Sequence, residues 1–181
     1  MPANILNFDA ELPEVIYWDS SFIVNFCVAG VKYHSACAGF VKRLEEENIL
    51  SIVSNLALDE VWYALLRVNL INDFEQEWHE KLRNEPEIID KYVPILRRAT
   101  ADILMLANVI VVEIPTEATL KALDFIERYH LLPRDAIHLS TALSIGVRNI
   151  ATTNLDFTRV DGINDYTCNP KAFGGKTENT V

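Results

Sequence analysis

Short apolar runs built from strand-forming residues alternate along this chain with longer stretches of helical periodicity, and that alternation restricts the fold more than any other property of the sequence. Val15-Ile-Tyr-Trp18 reads as a buried strand, Ile49 to Val53 as a second, and Val109 to Ile114 as a third, closed by Pro115. Arg148 to Thr152 reads as a fourth strand and Tyr166 to Cys168 as a short fifth. Helical segments fall between them: Phe22 to Val28, Ser35 to Asn48, a helix opened by Ser54 as N-cap, Glu117 to Tyr129, and Asp135 to Ile145 before Gly146. Ser35 to Asn48 is plainly amphipathic, with Phe40, Val41 and Leu44 on one side and Lys42, Arg43 and Glu45 to Glu47 on the other. Strands joined through helices need crossover connections, which makes them parallel and covers the sheet on both faces. The expected architecture is therefore a three-layer α/β/α sandwich with a mainly parallel sheet.

The domain is expected to span residues 14–169, with residues 1–13 and 170–181 as tails. From Asn72 to Lys91 the chain carries seven acids against three bases. That stretch and the following Tyr92 to Ala107 read as an extra helical hairpin, inserted at about 72–107, with Pro86 near its joint. At 181 residues, half of them hydrophobic, the chain can bury one sizeable core.

Several function classes fall away on composition. No apolar run reaches the length of a membrane span, and the first residues lack the basic-then-apolar pattern of a secretory signal, so the cytoplasm is the expected location. Cys27, Cys37 and Cys168 form no CxxC pair and are odd in number, which argues against a disulfide framework or a structural zinc site and for buried free thiols. A net charge of −10 opposes broad binding to polyanions, while leaving room for a local basic rim around an acidic site. His34, His79, His130 and His138 show no HExxH spacing, and neither GxxxxGK[ST] nor GxGxxG occurs. His138, inside an interior helix, reads as a hydrogen-bonded core residue. GxSxG is also missing, and Asp19-Ser20-Ser21 lacks the Asp-x-Asp of haloacid-dehalogenase-type phosphatases.

In parallel α/β sheets functional groups collect beyond the carboxyl ends of the strands. Asp19 stands there, either as an N-cap for the helix at Phe22 or as a group pushed into the crevice. Ser20 and Ser21 suit a cap or donors around a bound ion equally. Glu60 interrupts the apolar helix that starts at Ser54. Asp135 opens a helix that is apolar or small nearly all round, where an acid needs a partner, a metal or a capping role. The strand at Ile150 runs out into Thr152, Asn154 and Asp156, which face either the same crevice or a surface turn.

Taken in order, Tyr17-Trp18-Asp19-Ser20-Ser21, Ser54 to Glu60, Asp135-Ala-Ile-His-Leu-Ser-Thr-Ala142 and Thr152-Thr-Asn154-Leu-Asp156-Phe157 resemble the PIN-domain family, over roughly Val15 to Cys168. The family pattern places an acid where this chain has Asn154. The resemblance implies a metal-dependent endoribonuclease, the toxin half of a toxin–antitoxin pair, with Asp19, Glu60 and Asp135 as catalytic ligands of Mg²⁺ or Mn²⁺. Asn154 or Asp156 would complete the metal site, and Ser20, Ser21, Arg134 and Thr152 would meet the substrate. RNA, an antitoxin and a second copy of the chain are the implied partners. The alternative is a PIN-like module without catalysis that binds RNA or protein through a weakened metal site. Carboxylates forced together without metal should raise one another's pKa.

Overall fold

The computed structural model describes residues 2–174. Six strands form one parallel sheet: β1 (Asn4–Leu6), β2 (Val15–Trp18), β3 (Leu50–Ser54), β4 (Val109–Val112), β5 (Asn149–Ala151) and β6 (Asn164–Tyr166), in the order β1-β6-β5-β2-β3-β4. The helices are α1 (Ser20–Cys27), α2 (His34–Glu46), α3 (Asn55–Phe74), α4 (Trp78–Asn84), α5 (Val93–Leu104), α6 (Thr116–Tyr129) and α7 (Pro133–Ser144). They cover both faces, so the expected three-layer sandwich is what the chain adopts.

Strand alternation assigns the two cores. Ile16 and Trp18 point to one side, where they pack with Phe22, Phe40, Leu44, Val61 and Ile103. Tyr17 points to the other, with Ile52, Ile150, Ala136, Leu139 and Phe157. Both sets are buried, which fits strands that read as continuous apolar runs. The strand order turns at β2: its successor β3 lies on one side and β5 on the other. The crevice above the carboxyl ends of β2 and β5 is therefore the switch point at which such sheets place ligands.

Two segments expected as tails belong to the fold. Asn4–Leu6 pairs in register with Asn164–Tyr166, and Phe8 stacks on Phe40 at 4.2 Å. Pro170–Phe173 forms a turn of 3₁₀ helix. A three-residue edge strand carries too little periodicity to register in the sequence, because its stability comes from the partner strand. Residues 175–181 lie outside the described residues. The fifth predicted strand is shifted, running over Asn164–Tyr166 instead of starting at Tyr166.

The acidic insertion is helical, as expected. α3 runs on to Phe74, and α4, a 3₁₀ segment at Pro86–Lys91 and α5 bring the chain back. Leu70, Trp78 and Tyr92 form a small core of its own. Among the described residues no helix is long and apolar enough to cross a membrane.

Candidate active site

Asp19 follows β2 in extended conformation (φ −72°, ψ 153°) and leaves the strand on the side of α7. The capping reading of this residue holds. Its Oδ2 accepts hydrogen bonds from the Ser21 amide at 3.2 Å, capping α1, and also from Ser21 Oγ at 2.6 Å and Thr152 Oγ1 at 2.8 Å. Thr152 sits just past the neighbouring strand β5, so the switch point joins the two ends. Its other oxygen, Oδ1, is buried without a hydrogen-bond partner among the described residues, 3.9 Å from His138 Nε2.

Glu60 is delivered by α3, whose register is set by Ser54 Oγ accepting from the Ala57 amide at 3.2 Å. Its Oε2 lies 2.6 Å from His138 Nε2 and its Oε1 3.4 Å from the Arg134 guanidinium. Burial is the largest single influence on Glu60 and raises its pKa. The hydrogen bond and charge of His138, with help from Ser20 and Arg134, outweigh it, so the net shift is downward. The expected mutual repulsion of the acids thus fails at this residue.

His138 is buried on α7, with Nδ1 2.8 Å from the Tyr17 hydroxyl. Burial, again the largest influence, disfavours its charge, but the Glu60 hydrogen bond and the fields of Asp19, Glu60 and Asp135 overcome it and raise its pKa. It is a core histidine, as its sequence setting suggests, and it also stands between the acids. The spacing Asp135-x-x-His138 carries that information, since residues three apart share a helix face.

Asp135 does not cap α7. Leu132 holds the cap position, Pro133 the first turn, and Asp135 lies within that turn with Oδ2 buried and unpartnered among the described residues. Its pKa is raised to about 6, chiefly by burial and then by the charge of Asp19, against a hydrogen bond from Asn154. Here the repulsion expected of clustered acids is present.

The segment after β5 divides. Asn154 turns into the site: its amide side chain meets Asp135, while its Oδ1 accepts from the Asp156 amide at 3.0 Å. Asp156 stands at the margin, paired with Arg159 at 2.9 Å. Three groups expected to meet substrate are used internally: Ser21 and Thr152 hold Asp19, and Ser20 hydrogen-bonds Glu60. Arg134 alone of that set stays half exposed at the rim.

Sequence reasoning missed Asp165. It lies in the middle of β6, opposite Ile150, 1% exposed, with neither carboxylate oxygen partnered among the described residues. Burial, then the charge of Asp19, pushes its pKa up to about 7. The fifth strand expected from the sequence starts one residue later, at Tyr166, and so leaves Asp165 outside it.

Among the described residues no three acidic, imidazole or thiol groups are already gathered as a ready-made metal cage. The donor set nevertheless suits a hard divalent ion, because Asp19 Oδ1 and Asp135 Oδ2 are oxygens buried with nothing to satisfy them. Glu60 Oε2 is engaged by His138, and its Oε1, 3.4 Å from Arg134, is the oxygen left to join.

Comparison with known proteins adds the following. The family model described as PIN domain matches residues 16–163. No curated protein matches the chain by sequence. Among solved structures, VapC20 of Mycobacterium tuberculosis, a sarcin-ricin loop cleaving toxin, is similar at 19% identity and TM-score 0.53, over 81% of this chain and 98% of that one. A toxin–antitoxin complex from Klebsiella pneumoniae is similar at 17% identity and TM-score 0.51, over 82% and 94%. VapBC2 of Rickettsia felis, bound to a promoter DNA fragment, is similar at 13% identity and TM-score 0.52, over 84% and 98%. Likeness at these identities speaks to the fold.

Proposed function

Because the chain belongs to the PIN-domain family, we propose that it is a metal-dependent endoribonuclease that hydrolyses RNA phosphodiester bonds as the toxin of a toxin–antitoxin pair. The observation that carries the reading is the pair of orphaned, buried carboxylate oxygens, Asp19 Oδ1 and Asp135 Oδ2, above the strand ends where the sheet order turns. RNA as substrate and an antitoxin as partner follow the toxin-like fold relatives, one of which is described as cleaving the sarcin-ricin loop. A homodimer in the cytoplasm completes the proposal, with residues 14–169 and the added edge strand β1 as the nuclease domain.

Asp19 and Asp135 would hold Mg²⁺ or Mn²⁺, with Glu60 and either Asn154 or Asp156 closing the site. Such an ion supplies an acidified water and neutralises charge on the phosphate oxygens. The protein's own groups prepare that chemistry. Ser21 and Thr152 fix Asp19 so that one oxygen is committed and the other free. His138, 2.6 Å from Glu60 through Nε2, lowers the Glu60 pKa and so favours its ionised form. Asp135 must lose its own proton before it can ligate, so metal competes with protons at this residue as pH falls through about 6. Arg134, at the rim beside Glu60, is placed to meet a backbone phosphate.

Purified chain should cleave RNA in Mn²⁺ and stop in excess EDTA, and Asp19→Asn and Asp135→Asn should each lose about 100-fold or more in rate, some 2.7 kcal/mol of barrier. Parent-level cleavage by either variant, with contaminating nuclease excluded, would refute the assignment. Asn154 and the Glu60–His138 pair favour a second reading, a non-catalytic module that binds RNA or protein. It predicts RNA or antitoxin binding with no cleavage in the same assay.

A further inference from the structure

The helix that delivers Glu60 to the carboxylate site also carries a path out of it. Glu60, Tyr63 and Arg67 lie in one stripe along α3, since seven residues make about two turns, roughly 10 Å of helix. Glu60 is largely covered, its side chain 13% exposed between His138 and Arg134. Tyr63 is 52% exposed, and Arg67 is exposed as well. Neither makes a hydrogen bond, ion pair or ring contact among the described residues. The other exposed aromatic of α3, Trp62, lies about 100° round the helix from Tyr63. There its indole N–H donates to Thr100 Oγ1 at 2.8 Å, and the ring lines a groove with Leu96 and Arg97 of α5. Trp62 is used by the fold; Tyr63 is not.

An exposed aromatic alone needs no explanation. Its company singles Tyr63 out. Arg134 stands at one end of the stripe, 3.4 Å from Glu60, and Arg67 at the other, free of any carboxylate among the described residues. Asp59, exposed one turn before Tyr63, is the acid that adjoins them. One turn past Arg67 the stripe ends, because Ile71 packs against the small core of the acidic insertion.

We propose that Tyr63 and Arg67 form a subsite for the nucleotide next to the scissile phosphate of a single-stranded RNA, an inference that rests on the nuclease reading above. The base stacks on the Tyr63 ring, and Arg67 donates to the phosphate beyond it. Stacking of this kind needs a base whose face is free, whereas in a duplex its neighbours cover both faces. It accepts any base, because every base has a π-face. Tyr63 therefore selects for unpaired strand and leaves sequence to other contacts. The unpaired guanidinium, in line with a site that handles phosphate, favours a polyanion over a protein on this stripe.

The test follows the anisotropy of a short fluorescein-labelled oligouridylate with the full chain in EDTA, and the initial rates of its cleavage in Mn²⁺. The parent should bind the single strand, and bind it less well once it is annealed to oligoadenylate. Tyr63→Ala should weaken binding roughly 5- to 150-fold, and Tyr63→Phe, which keeps the ring, should stay within about twofold of the parent. Arg67→Ala should flatten the dependence of log K on log salt by about 0.7, the share of one phosphate contact on a single strand. Both side chains are exposed, so the melting temperature should hold in all three variants. In Mn²⁺ the Tyr63→Ala loss should appear as a raised KM with kcat kept. Parent-level binding by Tyr63→Ala, an equal loss in Tyr63→Phe, an unchanged salt slope in Arg67→Ala, or undiminished binding of the duplex would each overturn the proposal. So would absent RNA binding together with an oligomeric state that Tyr63→Ala alters in sedimentation, which would make the stripe a protein interface. The nuclease reading fails separately. Binding that tracks these variants without cleavage in Mn²⁺ supports the subsite and refutes the nuclease, whereas cleavage with an unchanged KM in Tyr63→Ala refutes the subsite alone.

Discussion

A histidine with one carboxylate at hydrogen-bond distance and two more in its field behaves as part of the charge balance of the site. His138 holds the Glu60 carboxyl below its usual range, whereas Asp135 and Asp165 are held above theirs. Asp165 gives the cleanest residue-scale prediction, because it makes no described hydrogen bond. Its pKa is raised in the folded state, so its contribution to stability is complete below about pH 4 and is lost as pH rises through about 7. Asp165→Asn removes that loss, which is at most about 4 kcal/mol. Melting at pH 8 should rise by roughly 5 °C or more, while melting at pH 4 should barely move. A lower Tm at pH 8 would mean that Asp165 has a partner that needs its charge. Nothing in the sequence distinguishes Asp165 from a surface acid, since what sets it apart is its place opposite Ile150 in the sheet.

At the scale of elements, the parts that were legible are those whose information is local. Val15–Trp18 forms the strand expected from its residue types, Ser54 caps the helix that it opens, and Asp135 and His138 share the face their spacing assigns. The strand Asn4–Leu6 was not legible, because it is stable only through β6, and neither was the Glu60–His138 pair, which depends on residues of α3 and α7 that lie 78 positions apart in the chain. The hydroxyls of Ser21 and Thr152, which the resemblance places at the substrate, donate to Asp19, a contact that no local pattern encodes. The cap that positions α3 can be tested directly. Ser54→Ala should lower stability by about 1–2 kcal/mol, read as a shifted urea midpoint with an unchanged slope. It should also weaken the Glu60–His138 contact, read as a lower His138 pKa by NMR. An unaltered midpoint would show that tertiary packing alone fixes the start of this helix.

For the whole molecule the signs add. Asp135 and Asp165 favour acid conditions, and His138, whose folded pKa is raised, stabilises below its unfolded value near 6.5 and loses that contribution as pH rises through the folded value. Glu60, whose pKa is lowered, stabilises above its unfolded value near 4.3 and loses that as pH falls. In EDTA the chain should therefore melt highest at about pH 5 and lower by pH 8, the window those shifts define. Mn²⁺ at a hundredfold excess over its Kd should return about 2.7 kcal/mol at pH 8, or roughly 5–11 °C. It should do little at pH 5, where Asp135 holds its proton. Equal shifts at both pH values would separate metal binding from Asp135.

Leu70, Trp78 and Tyr92 form a core apart from the two that flank the sheet. A segment with its own small core can open while the rest stays shut, because its opening exposes only its own buried surface. Backbone amides between Trp78 and Lys91 should then exchange with deuterium at a common, faster rate than those of β2 and β3, and that rate should ignore variants such as Asp165→Asn. Trp78, buried in that core, should become accessible to an iodide quencher on the same timescale. Exchange in step with the sheet would make the insertion part of a single cooperative unit.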